Sequence, residues 1–519
     1  MSRLKKIKYE KFIKAITNPF LISLIIAVVV VITLPSAFEK YKIEITQRNK
    51  IDSNLTYFYS DLNYDGVSEK IEVTQIANDF FSLTVFDNNK VIDQWNFEGK
   101  FLTTLKPIVS ETGNNNFKSI YFFLFKDNKI YLNCLNPFEN KFISRDKFVV
   151  DYLPRTNGLD IEIYPQTFYD SNKDGTREFY FSCNVGYSFQ PRRVCKYNPV
   201  EDSLYISAES SASFETSAVD STGGELKIIF ASDAVGNSKL DNLYSDMFAW
   251  LLCFDKNLSL KYKATKIGFY PSLSEITSFS IDGVKYFICL NIYTGIEKHS
   301  SSLILFDPKL NIIKEKKFNF SPDLKEAYLY ANNEQNCFYI IKSSGQIEKY
   351  NSNLNLVNQN YIYPLINSAP VSCDVDGDNE DEVILFSKNL DKVIIARNDL
   401  SNYSFADITN IKGLRCYSLK LNGNEPRELV VSSDNEKLTL TYSFNTLYYL
   451  QYPLYAGIYL AVLLMILLIQ KAQKHRAELK YETEKRIAEL QLKSIKNQVD
   501  PHFTLNILNS IGSLFYKQV

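Results

Sequence analysis

The chain has 519 residues, room for roughly two to four domains of ordinary size or for one large repeat array, so a small disulfide-stapled scaffold is excluded. Lys and Arg total 58 against 59 Asp and Glu, a formal net charge of -1, which leaves no global basic field to hold a nucleic-acid backbone, so no nucleic-acid partner is expected. Hydrophobic residues at 45% and charged residues at 23% exclude extended disorder, and 35 Tyr with 36 Phe against 3 Met and 3 His point to a β-rich body in which aromatic side chains pack.

In chain order, residues 1–14 carry Arg3, Lys5, Lys6, Lys8, Lys11 and Lys14 against a single Glu10. An uncharged stretch follows over 15–38, with FLISLIIAVVVVITL at its centre, and its length suits a membrane-spanning helix of about 20 residues. By the positive-inside bias the basic flank places the N-terminus in the cytoplasm and the next segment outside. A cleaved signal peptide is the competing reading, and Leu34-Pro35-Ser36-Ala37 matches a small-x-small cleavage site poorly.

Residues 39–447 are expected to form one extracytoplasmic domain. Within them DLNYDGVSE (61–69), DSNKDGTRE (170–178) and DVDGDNEDE (374–382) are three copies of one turn motif, each running into an apolar strand, and LNGNEPRE from Leu421 is a weaker copy. With degenerate units between them the spacing fits a period of about 50 residues, which implies a seven- or eight-bladed β-propeller, since a four-stranded blade needs neighbours to cover both faces. All eight cysteines lie in this segment, mostly in apolar strand-like runs that suit buried thiols, and Cys183 with Cys195 is the spacing that suggests a bridge across a hairpin.

Oxygens at alternate positions of a loop, with Gly or Asn permitting a sharp reversal, can converge on a hard cation such as Ca²⁺. The candidate sets are Asp61, Asn63, Asp65 and Glu69; Asp170, Asn172, Asp174 and Glu178; and Asp374, Asp376, Asp378 with Asp381 or Glu382. Asx-rich turns without an ion are the competing reading, strongest at the fourth copy, where Asn422, Gly423 and Asn424 carry no charge. The motif resembles the calcium-loop strand of FG-GAP or VCBS repeats, and that resemblance implies Ca²⁺ in the propeller loops.

A second apolar run covers 448–470, beginning with a belt of Tyr448, Tyr449, Tyr452, Tyr455 and Tyr459 and ending at Lys471, Lys474, His475 and Arg476, which places its C-terminal side in the cytoplasm. Residues 471–497 are helix-favouring and free of Gly and Pro, and Leu479, Ile487, Leu490 and Ser494 form a narrow seam suited to pairing with a second copy, hence a homodimer.

The segment 498–519 opens with QVDPHFTLNILNSI. This stretch closely resembles the phosphoacceptor box of the LytS-like ("internal region") sensor histidine kinases, Q-[IVLM]-[ND]-P-H-F-x-x-N-x-L-N-x-[IL]. The resemblance implies a two-component protein-histidine kinase autophosphorylated on His502, with a response regulator as partner. Asp500 and Pro501 read as a helix cap and first turn, which would set His502 where backbone N–H groups favour a phosphate, and Asn506 and Asn509 share its helix face. His475 borders the membrane and His299 has no ligand-type partners in its surroundings, so neither is selected. Members of that family continue into an ATP-binding domain, and residues 503–519 hold none, so ATP is expected to act only through a domain outside this chain. The expected protein is a two-pass inner-membrane sensor with both termini cytoplasmic and a propeller that binds an unknown extracytoplasmic ligand. The alternative is a membrane-anchored calcium-binding propeller for adhesion or glycan binding.

Overall fold

The computed structural model describes residues 18–33, 38–50, 55–102, 107–111, 117–153, 161–185, 190–240, 243–281, 283–296, 299–318, 324–332, 334–363, 366, 368–387, 391–408, 415–420, 427–432, 436–498 and 501–516. They divide into two compact units, Tyr41–Phe444 and the segments that precede and follow it.

Among the described residues, the strands of Tyr41–Phe444 form eight antiparallel sheets, seven of four strands and one of five. The first comprises Leu55–Ser60, Glu69–Ala77, Phe80–Asp87 and Lys90–Glu98. The next six occupy 100–151, 161–206, 216–269, 272–318, 327–361 and 371–407. Turn chemistry sets the hairpins: Asn88 and Asn89 take φ of 46° and 67°, and Asp127 and Asn128 take 50° and 54°, the paired left-handed conformations of a tight two-residue turn.

Middle strands such as Glu178–Val185 and Cys337–Lys342 are buried along their whole length, while the outermost strand Leu356–Tyr361 is exposed throughout. A strand covered on both faces reads as a continuous apolar run rather than an alternation. The cover comes from the next sheet: Phe81 and Phe97 of the first blade meet Phe122 of the second at centroid distances of 6.3 and 5.1 Å. Shared apolar clusters of this kind join each blade to the next, from the first through to the eighth.

The eighth blade closes the ring. Its strands Arg415–Leu419, Glu428–Ser432 and Glu436–Phe444 are completed by Tyr41–Lys50, which pairs antiparallel with Glu436–Phe444 so that Tyr41 lies opposite Phe444. The same blade reaches the first through the Ser68 N–H, which donates to the Lys420 carbonyl at 2.9 Å. The architecture is therefore an eight-bladed β-propeller.

All eight cysteines are free thiols. The suggested Cys183–Cys195 bridge is not formed: Cys183 lies opposite Arg193 and Cys195 opposite Phe181, so the hairpin register sets the two sulfurs out of line. Burial pushes both thiols up, that of Cys183 to about 12, which makes them packing groups rather than nucleophiles.

In the other unit, α1 (Pro19–Thr33) starts with the Asn18 side chain accepting the Phe20 N–H at 3.0 Å. Its buried residues, Ser23 and Ala27, lie one turn apart and are small enough to let α1 pack closely on α2 (Gln451–Gln498). At 15 residues α1 is about 22 Å long, short of a bilayer's hydrocarbon core of about 30 Å. The flanking parts of the expected span, 15–17 and 34–37, lie outside the described residues. Among the described residues one helix, centred on α2, is long and apolar enough to cross a membrane. The expected boundary at 470/471 lies inside α2, which runs on unbroken for 48 residues. Pairs such as Lys474–Glu478 and Lys480–Glu484 lace its polar half. α3 (Pro501–Tyr516) follows.

Candidate functional site

The three acidic loops share one backbone form. Each precedes the second strand of a blade, and φ is positive at the fourth and sixth positions: Tyr64 and Gly66, Lys173 and Gly175, Gly377 and Asn379. In each, the ninth residue is a buried glutamate that accepts the N–H of the second: Leu62 to Glu69 at 2.6 Å, Ser171 to Glu178 at 2.7 Å, Val375 to Glu382 at 2.9 Å. The first aspartate turns back onto the loop, Asp61 accepting from Gly66 N–H, Asp170 from Gly175 N–H and Asp374 from Gly377 N–H. Much of the motif's acidity therefore serves the turn itself, as Asx hydrogen bonds.

What remains differs among the loops. In the first, Asp61 Oδ1 and Glu69 Oε1 are buried without a hydrogen-bond partner among the described residues, and Glu69 is 1% exposed. Burial pushes the Glu69 carboxyl up to about 7, and the nearby charges of Asp65 and Asp61 push the same way. Two buried carboxylate oxygens lacking a donor, with Asn63 and Asp65 on the same loop, are donor types that a hard divalent cation such as Ca²⁺ takes, although among the described residues only the third loop gathers three acidic ligand atoms within 4.8 Å of one another. The second loop has the same form, with Asn172 donating to Asp174 at 2.7 Å, and no Lys or Arg pairs with its carboxylates among the described residues.

The third loop carries its own cation. Arg397, level with Glu382 across the hairpin, places Nη1 at 2.6 Å from Glu382 and 3.4 Å from Asp376, and Nη2 at 3.0 Å from Asp378 and against Glu380. Asp374, Asp376 and Glu382 have oxygens within 4.8 Å of one another, a spacing suited to a metal, and the guanidinium reaches two of these three carboxylates. Burial pushes Glu382 up to about 7, as it does Glu69, but here Arg397 pulls against it. Asp381 turns away to accept from Ser372 Oγ at 2.8 Å. The same hairpin position holds Asn198 in the third blade and Asp87 in the first, next in register after the pairs Phe179–Tyr197 and Lys70–Phe86. Of the fourth copy, residues 421–426 lie outside the described residues, and Arg427, which follows them, stands 3.6 Å from Asp374 of the third loop.

Neighbouring blades tether these loops by their backbone carbonyls. Lys118 Nζ donates to Asp61 O at 2.6 Å, Lys256 Nζ to Ser171 O at 2.8 Å, and Ser418 Oγ to Asp374 O.

The remaining expected residues lie on α3. His502 is exposed in the first turn, with Asn506 one turn on and its amide nitrogen 3.4 Å from His502 Nδ1. With the amide turned over, its carbonyl would accept Nδ1–H, and a neutral imidazole so held carries its lone pair on Nε2. Asn509 lies a further turn along the helix, exposed, and Asp500 lies outside the described residues. Phe503, Leu505 and Leu508 are exposed, so α3 presents apolar side chains beside the histidine. His299 stacks on Phe269 at 4.5 Å and meets Tyr293 edge-on at 5.2 Å.

Sequence reasoning did not identify Arg397, although its position after the VIIA strand matches that of Asn198 and Asp87. It also missed a second acidic group, Glu215, Asp233 and Glu275. There burial and the charge of Glu215 push Asp233 up to about 8 and Glu275 up to about 7.

No protein-family model matches the chain, and no curated protein matches it either. Solved structures do resemble it in outline. The Saccharomyces cerevisiae Sqt1 structure is 10% identical, with 78% of this chain and 100% of that chain covered and a TM-score of 0.46. BamB from Moraxella catarrhalis gives 10% identity, 77% and 99% coverage and a TM-score of 0.44. The Dos1 propeller gives 9%, 77%, 95% and 0.47.

Proposed function

We propose that the chain is the sensory and phosphoacceptor part of a membrane histidine kinase, with the propeller outside the cell and His502 inside. The observation that carries this is the box Gln498–Ile511, whose histidine stands exposed on α3 with Asn506 beside Nδ1. An imidazole nitrogen of His502 attacks the γ-phosphorus of ATP. The N–P bond forms as the bond to the ADP oxygen breaks, and the resulting phosphoramidate is labile enough to pass its phosphoryl group to an aspartate of a response regulator. The ATP-binding domain for this step is not among residues 1–519. Two spans are part of the proposal, with α1 and its flanks as the first and the apolar half of α2 as the second. The exposed seam at Leu479, Ile487 and Leu490 supports pairing of two copies.

A second reading, a calcium-binding propeller for adhesion or glycan binding, is favoured by the two buried carboxylate oxygens at Asp61 and Glu69 that lack a donor. One experiment separates the readings. The chain, mixed with the ATP-binding domain of a LytS-like kinase, is incubated with γ-labelled ATP. Acid-labile, base-stable label that is lost in His502→Gln and kept in His475→Gln is the expected result. Label that persists in His502→Gln removes the kinase reading and leaves the binding propeller.

A further inference from the structure

The seam where the ring closes brings together residues from opposite ends of the propeller sequence. A cavity of about 450 Å³ opens there between Tyr41–Lys50 and Glu436–Phe444 on one side and the first blade on the other. Its lining includes Lys50, Lys70 and Lys437 with the rings of Tyr57, Tyr59 and Phe86, and no Asp or Glu among the described residues. Lys437 is half-buried, and its Nζ donates to the Tyr59 hydroxyl. Lys70 Nζ stands 4.0 Å from the Phe86 ring centroid and is held by Glu72 at 3.0 Å.

Two ammonium groups share this wall at a cost. Burial pulls the Lys437 ammonium down, the charge of Lys70 pulls it further, and Glu428 acts the other way. An anion placed between the two lysines would turn that repulsion into two charge-assisted hydrogen bonds. Asn88 and Asn89 of the tight turn, with Gln47 opposite, supply amides around the opening for a neutral polar body. The volume lies within the range of small-ligand sites, about 300–1,000 Å³.

We infer that the seam cavity binds a small organic anion, a carboxylate or phosphate group carried on a body about the size of a monosaccharide, with Lys437 and Lys70 taking the charge. The walls include the strand that follows α1 in the chain and the strand that precedes α2. An occupant therefore touches both segments that lead to the helices, which makes the cavity a sensory site. That consequence rests on the sensor reading, whereas the anion chemistry stands without it.

The full chain in detergent is titrated calorimetrically at low salt with glucuronate, glucose 6-phosphate and glucose, three probes of similar size that differ in charge. Heat of binding is expected for glucuronate, glucose 6-phosphate or both, and not for glucose. Binding by one anion alone identifies carboxylate or phosphate as the preferred group. Lys437→Met and Lys70→Met should each weaken the interaction by at least about tenfold, while Lys263→Met, an exposed lysine outside the cavity, leaves it unchanged. Failure of both anions to bind, equal binding of glucose, or unchanged affinity in both lysine variants overturns the proposal. Melting curves accompany each variant. Should Lys437→Met not fold, Lys70→Met decides alone, and unchanged binding by it overturns the proposal. Phosphoryl transfer is not read in this assay, so loss of the kinase assignment and loss of the anion site are separate results.

Discussion

Replacing Glu69 with Gln should reverse its effect on stability according to whether calcium is present. The wild-type carboxyl, 1% exposed and pushed up to about 7, must ionise against burial and against Asp61 and Asp65 as pH rises. A carboxyl elevated in the folded state makes stability fall from the unfolded value of 4.5 upward, with the loss complete above about 7. At pH 8 the elevation corresponds to at most about 3 kcal/mol, and to about 2 kcal/mol after allowance for water reaching the loop from its exposed side. Glutamine removes that penalty, and its amide N–H can donate to the unpartnered Asp61 Oδ1. In chelator at pH 8, Glu69→Gln should therefore melt higher than wild type by about 2 °C, taking roughly 1 °C per kcal/mol for a unit of about 400 residues. In calcium at a hundredfold excess over Kd the order should invert, because wild type gains about 2.7 kcal/mol that the amide cannot match. At pH 4 in chelator, below the unfolded value, the two should nearly coincide. Asp233 and Glu275 also sit high, so the difference between variant and wild type is the readout, not the pH profile of either alone. A Glu69→Gln protein less stable than wild type by the same amount in chelator and in calcium would refute the reasoning and leave Glu69 as a turn residue.

Arg397→Met should destabilise the seventh blade by about 3 kcal/mol in chelator, since Asp376, Asp378, Glu380 and Glu382 lose their shared cation. Millimolar calcium should restore part of that in thermal unfolding, and a variant insensitive to calcium would show that the loop geometry suits only a guanidinium. On intact cells, external protease should cut within Tyr41–Phe444 and spare epitope tags at both ends. Digestion of an N-terminal tag would refute the two-pass arrangement.

The parts of this fold legible in the sequence were those governed by neighbours in the chain. DLNYDG and DSNKDG announce their turns because Asx side chains bond to N–H groups two to five positions on, and the three copies do fold alike. Whether such a loop has a cation of its own is set across the hairpin, where Arg397 stands 15 residues from Glu382, and composition of the loop alone does not report it. The seam cavity was further from view, because Lys437 meets Tyr59 across 378 residues of sequence. The Cys183–Cys195 spacing misled for a related reason, since proximity in sequence does not fix register. On α1 the hydrophobic run drew the eye, yet the residues that pack are Ser23 and Ala27.

The closing strand Tyr41–Lys50 is the first part of the propeller to be synthesised and its partner Glu436–Phe444 the last. At about 5–20 residues per second the interval between them is on the order of half a minute. Throughout that time YKIEITQRNK has no native strand to pair with, and its Lys, Arg and Glu side chains discourage pairing with a wrong edge. A nascent chain halted before residue 436 is an open arc with an apolar blade face at each end. Completion of the ring therefore waits for the end of the propeller's translation, and the interval before it is when proteases and chaperones have access to the unclosed form.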